Sequence, residues 1–311
     1  MKHTWKITAI LLLMFIATQL IGILVLNAYK TTPLPYGMQA PEVPKEDFSL
    51  NLQFLITIIL AFAIAIFLVF FLTKVKSAIF IKIWFFVVIT LAISITLNSL
   101  LFKLNFVYSS IIAVLIALPL SFFKIFKQNF LIHNLTELMV YPGIAAVFVP
   151  ILNVWTIIIL LIAISIYDIW AVWHSGFMQK MAKYQINNLK IFAGFFVPYM
   201  SKKQREQIRL LKQKYKNKNI PEKVIKNKKI KVSLAILGGG DVIFPIIAAG
   251  VFLKTFGLLP ALSVTLFSSI SLLVLFIFAK KGKFYPAMPF LTAGILTGML
   301  IGWALIPLGF I

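Results

Sequence analysis

The chain has 311 residues, 61% of them hydrophobic and only 12% charged, with a mean hydropathy of +1.00; this composition lies outside the range of soluble globular domains. A net charge of +22 would suit a nucleic-acid binder, but no helix-turn-helix or RNA-binding signature accompanies it and the positive charge sits in the breaks between apolar runs. With no cysteine and only His3, His133 and His174, disulfides, thiol catalysis and thiolate metal sites are excluded, and neither a metal nor a cofactor is expected.

The apolar runs are about 20 residues long, the length a helix needs to cross roughly 30 Å of hydrocarbon, whereas a porin-like barrel alternates over segments of about ten. They predict an all-α polytopic membrane protein with helices near 7–27, 51–73, 77–101, 105–123, 130–151, 153–174, 232–253, 258–279 and 286–308, nine in all. The first run follows Lys2 and Lys6 in the manner of a secretory signal, but it is too long and has no small-residue cleavage site, so it reads as a retained helix. The loop from Lys30 to Leu50 carries Pro33, Pro35, Pro41 and Pro44 and reads as extended.

Lysines at 2, 6, 74, 76, 124, 127, 280, 281 and 283, with the long 175–231 loop, alternate across the helices against Lys30, Lys45, Lys103 and Lys254 on the other side. The positive-inside rule then places the amino terminus in the cytoplasm and the carboxyl terminus outside. The stretch from Ser201 to Lys231 is strongly basic, with Glu206 and Glu222 as its acids and Pro221 interrupting any single helix. It reads as a solvated topological anchor, or as a binder of anionic lipid. The chain thus divides into a six-helix part, 1–174, a basic cytoplasmic loop, 175–231, and a three-helix part, 232–311.

Of the eight acidic residues, Glu42, Glu46, Asp47, Glu206 and Glu222 lie in loops, and Glu137, Asp168 and Asp241 lie in apolar runs. A carboxylate at mid-membrane costs at least about 2.5 kcal/mol, so each of the three calls for a reason. Asp168 lies before the cytoplasmic end of its helix and Asp241 after the cytoplasmic start of the next. At 1.5 Å per residue they sit roughly 9 to 12 Å and roughly 15 Å from the same face. Two antiparallel helices can bring such residues side by side. Facing carboxyl groups cannot both ionise easily and retain a proton between them, leaving one as base and the other as acid. That division suits hydrolysis of a peptide bond by water.

Gly238, Gly239 and Gly240 precede Asp241. In a membrane helix such a run either loosens the helix and admits another backbone, as an unwound substrate requires, or simply packs closely on a neighbour. The last predicted helix opens with Tyr285-Pro286-Ala287-Met288-Pro289. Its prolines either line a cleft near the level of the aspartates or only start the helix.

Tyr167-Asp168, then Gly238-Gly239-Gly240-Asp241, then Pro286-Ala287-Met288, in this order and topology, resemble the YD, GxGD and PAL motifs of the presenilin and signal peptide peptidase family of intramembrane aspartyl proteases. The nine-helix count and cytoplasmic amino terminus fit the presenilin arrangement. The resemblance implies that Asp168 and Asp241 are the catalytic pair, that Tyr167 supports the first, and that Pro286, Ala287 and Met288 shape the site. Met288 stands where the motif has Leu, an isosteric exchange, while the second Pro-Ala-Leu at Pro260 to Leu262 falls on the external face. Implied partners are transmembrane-helix or signal-peptide substrates in a lipid bilayer. The chain is most similar to a microbial homologue in a prokaryotic cell membrane that acts without obligatory accessory subunits, with homo-oligomerisation left open.

His133 and Glu137, four residues apart, read as a polar pair buried between helices, with tuning of the dyad as the alternative. Trp170, Trp173 and His174 fit an interfacial belt. The main rival function is a proton-coupled transporter or channel, against which stand the lack of an evident inverted repeat and of distributed charged pathway residues. A prepilin-type peptidase also uses a GxGD aspartate, but it tends to carry a basic residue soon after the Asp, where this chain has Ile243 and Phe244.

Overall fold

The computed structural model describes residues 5–38, 56–57, 60, 64, 78–127, 129–175, 193–199, 233–279 and 285–306. Among them, eight helices are long and apolar enough to cross a membrane. Their α-helical portions are α1 (Trp5–Ala28), α2 (Ala78–Lys103), α3 (Ser109–Phe122), α4 (Phe130–Phe148), α5 (Val154–Trp170), α6 (Gly239–Phe256), α7 (Leu258–Phe278) and α8 (Met288–Leu305); the turns that follow α3, α4 and α5 extend those three spans to Lys127, Ile151 and Trp173. The predicted 51–73 segment lies outside the described residues except at Ile56, Thr57, Leu60 and Ile64, all helical. The basic stretch 201–231 and the acids of both loops also lie outside them.

Lipid tails are as apolar as leucine, so membrane helices are held together by close packing and hydrogen bonds. In α7 and α8 a Cβ on Gly298 would stand 2.7 Å from the Val264 Cα, so only glycine permits this approach. There Ser263 Oγ donates to the Gly298 carbonyl at 2.7 Å. Thr96 donates likewise to the Met139 carbonyl at 2.6 Å, fastening α2 to α4. Just after the carboxyl-terminal end of α1, Tyr29 donates to the Ile95 carbonyl at 2.7 Å and accepts from Asn98 at 3.1 Å. A central core runs from Leu11 and Phe15 of α1 through Ala145 of α4 and Val242 and Ile246 of α6 to Leu272 and Leu291.

The described residues are mostly helical, and two details that differ from the sequence reading bear on the site. A two-stranded antiparallel ribbon joins β1 (Gly194–Tyr199), inside the segment read as a loop, to β2 (Ser233–Gly238), read as the start of a helix. The register pairs Gly194 with Gly238 and Tyr199 with Ser233. The helix predicted over 232–253 therefore begins at Gly239, directly after β2. Second, Lys124, counted above as a cytoplasmic charge, is buried and sits 2.7 Å from Glu137. Lys124 lies within a π-helical turn, Phe123–Lys127, that follows α3, and Glu137 lies on α4.

Candidate active site

The site forms where α5, α6 and α8 meet one another. Asp168 occupies the last turn of α5, just before a π-helical turn at Ala171–Ser175, an irregularity that recurs at functional sites. Its side chain is buried. One carboxylate oxygen accepts the Met288 N–H at 3.0 Å, and the Ala287 N–H also donates to the carboxyl group. These are the opening amides of α8: Ala287 is its N-cap and Met288 its first residue. A helix start leaves its first N–H groups without partners inside the helix. Asp168 thus supplies from a neighbouring helix what a capping residue supplies locally, where the helix dipole favours negative charge. One turn away, the Ser165 and Thr292 hydroxyls meet at 2.7 Å and hold the same two helices together.

Asp241 stands in the first turn of α6. Gly238 is the N-cap with extended φ −65° and ψ 147°, and its N–H donates back to the Asp241 carboxyl, one half of a capping box. The Asp168 and Asp241 carboxyl groups are close enough to repel each other when both are charged. Pro245 has no N–H for the Asp241 carbonyl four residues earlier, which loosens this turn. Gln19 of α1 donates to the next carbonyl, Val242, at 2.9 Å and steadies it.

The three glycines divide their tasks. Gly238 caps, whereas Gly239 faces the buried Tyr141, whose hydroxyl would lie 2.8 Å from a Cβ there. Gly240 is exposed, and a Cβ on it would meet only Phe244, at 3.9 Å. The glycine run therefore lies at a strand-to-helix junction rather than inside a helix. Pro286 and Met288 are buried and Ala287 is half-buried beside Asp168. Tyr167 is exposed and lies against Trp170, with ring centroids 6.3 Å apart, on another face of α5 from Asp168. Successive helix residues point about 100° apart, which sets the Tyr167 ring to one side of the Asp168 carboxyl. Trp170 and Trp173 are exposed, while the His174 side chain lies outside what is described.

Sequence reasoning did not place Gln19, Tyr141 or the Ser165–Thr292 pair at the site. An intramembrane glutamine on α1 was the available signal. No group of three or more His, Cys, Asp or Glu side chains that could hold a metal ion occurs among the described residues.

Two carboxyl groups at adjoining helix ends, within a bundle of long apolar helices, mark an integral membrane protein with a polar centre inside it. The signature of the signal-peptide peptidase, presenilin aspartyl protease family matches residues 12–307, and the chain belongs to that family. Two crystal forms of a presenilin family intramembrane aspartate protease share its fold. The form in space group C222 has TM-score 0.61 at 20% identity, covering 96% of this chain and 99% of the other. The form in P2 has TM-score 0.58 at 19% identity, covering 95% and 96%. Among curated proteins no sequence matches.

Proposed function

We propose that Asp168 and Asp241 together activate the water that hydrolyses peptide bonds within transmembrane segments or signal peptides. The observation that carries this reading is their meeting on α5 and α6, with Asp168 bound to the first amides of α8. The ionised aspartate takes a proton from water as its oxygen attacks the scissile carbonyl carbon, and the protonated aspartate gives its proton to the carbonyl oxygen. The resulting diol collapses as the first aspartate passes the proton it took from water to the amide nitrogen, the second takes a proton from a diol hydroxyl, and the C–N bond breaks, which restores both to their starting states.

A substrate helix must unwind first, and its freed N–H and C=O groups then need partners. Gly239 donates to the Ala193 carbonyl at 3.3 Å, so in this antiparallel ladder the main-chain groups of Leu234 and Ile236 face away from β1. No hydrogen-bond partner for the Ile236 main chain occurs among the described residues. This edge leads straight to Asp241 and would accept an extended segment as an added strand. The exposed Gly240 leaves room for it.

The division at 175–231 then lets the 1–174 part deliver one aspartate and the 232–311 part the other, in a prokaryotic cell membrane and without obligatory accessory subunits. Reconstituted protein should cut a single-span peptide within its apolar stretch, and Asp168→Ala and Asp241→Ala should each abolish cutting. Solute or proton flux without proteolysis would favour the transporter instead.

A further inference from the structure

Every ribbon strand has two edges, and the outer edge of β1 is closed by side chains rather than by another strand. The Gly239–Ala193 bond fixes which residues point outward: Gly194 and Phe196 turn their main-chain groups away from β2. Each finds its partners on α4. His133 Nε2 meets the Gly194 carbonyl at 2.8 Å, and the Gly194 N–H donates to Glu137 at 3.4 Å. Asn134 Nδ2 donates to the Phe196 carbonyl at 2.9 Å, while the Phe196 N–H donates to Asn134 Oδ1 at 3.2 Å. One primary amide therefore reproduces both bonds that a neighbouring strand residue would make.

The clamp is buried and internally balanced. His133, Asn134 and Glu137 all lie in the interior. Glu137 is paired with Lys124 at 2.7 Å, and His133 Nε2 also lies 3.4 Å from Glu137. Both neighbours of Nε2 are acceptors, so Nε2 carries a hydrogen. The His133 ring packs on Phe196, centroids 4.6 Å apart. Across the ribbon, Gly194 is in register with Gly238, the residue that caps α6 and donates to the Asp241 carboxyl. A short run of covalent and hydrogen-bonded links connects α4 to one of the two aspartates.

We propose that His133, Asn134 and Glu137 are positioning residues, a side-chain edge that fixes the ribbon and, through Gly238, sets Asp241 against Asp168. The clamp rests on the proteolytic reading above and adds residues to it. With β1 closed on this side, the edge of β2 is the one left to an extended substrate segment. Lys124 keeps Glu137 neutralised so that the edge can be buried.

The test compares His133→Phe, His133→Gln and Asn134→Ala in lipid, cutting the same single-span peptide as wild type. Gln places a nitrogen donor near the position of Nε2, and Phe keeps the ring stack without it. His133→Phe and Asn134→Ala should lose at least about ten-fold in kcat with KM within about three-fold, because a sub-ångström displacement of a catalytic group costs rate rather than affinity. His133→Gln should stay within about three-fold of wild type in both. A wild-type kcat in both His133→Phe and Asn134→Ala, or a loss confined to KM, would overturn the proposal. Hydrogen exchange on the wild-type protein gives a second reading that depends on no variant folding: the Gly194 and Phe196 amides should be as protected as that of Val197, and rapid exchange there would equally overturn it. If wild type itself cuts nothing, it is the proteolytic reading that fails.

Discussion

At the scale of single residues, the Pro286-Ala287-Met288 segment acts on Asp168 through its main chain. Two amides from the start of α8 converge on one carboxyl group, so the Met288 side chain only has to fill its buried place. Met288→Leu, an exchange of similar volume, should leave kcat within about three-fold of wild type. A large loss in the cleavage assay would assign the side chain a role beyond packing. The prolines flanking Ala287 and Met288 were visible in the sequence, but not the direction of these amides, which depends on how α5 and α8 cross.

At the scale of elements, the junction of β2 and α6 organises the site. In its first turn, a methyl group on Gly239 would press on the Tyr141 hydroxyl at 2.8 Å, and that ring is held edge-on against Phe195, centroids 5.8 Å apart. Gly240 has no such neighbour. Gly239→Ala should therefore lower the thermal midpoint by an amount equivalent to about 1–3 kcal/mol, whereas Gly240→Ala should leave it unchanged or raise it slightly, since alanine favours helix. Equal midpoints for the two variants would contradict this geometry.

The ribbon is also where sequence reading fell short. Ser-Leu-Ala-Ile-Leu-Gly is a short apolar run whose period does not distinguish strand from buried helix, and its partner lies more than thirty residues earlier. Gly-Phe-Phe-Val-Pro-Tyr, aromatic and opened by Gly, did carry a strand signal, with Pro198 at a position whose main chain faces away from β2. Its surroundings of basic loop obscured it. The two aspartates were legible because charge in an apolar run is costly wherever it falls, and the helices because length alone identifies them. The burial of Lys124 was not, since the positive-inside rule counts lysines without knowing which have a carboxylate nearby.

At the scale of the whole molecule, polar fasteners near the helix ends keep the bundle in register. Burial pushes the Tyr29 hydroxyl up to about 12, against the bond from Asn98, which pulls the other way. Because the folded value lies above the ordinary one of about 10, this tyrosine's contribution is complete below about pH 10 and is lost as pH rises toward 12. Tyr29→Phe should cost about 1 kcal/mol at pH 8 and show a smaller further fall in thermal midpoint between pH 8 and 11 than wild type does. An identical fall would remove Tyr29 from the account. The orientation expected from the lysines, amino terminus in the cytoplasm, is open to the same kind of check with accessibility tags at both termini.

All of these devices matter to function only if the two carboxyl groups do the chemistry. Asparagine is the discriminating replacement, because it keeps the volume of each side chain and an oxygen to accept the Met288 and Gly238 amides, yet neither takes a proton from water nor donates one as an acid. The decisive measurement is the rate of cleavage of a single-span peptide in lipid by Asp168→Asn and Asp241→Asn, each with a wild-type thermal midpoint. The expected result is a fall of at least about 10²-fold for both variants. Cleavage within a few-fold of wild type by either one would contradict the shared-carboxyl mechanism.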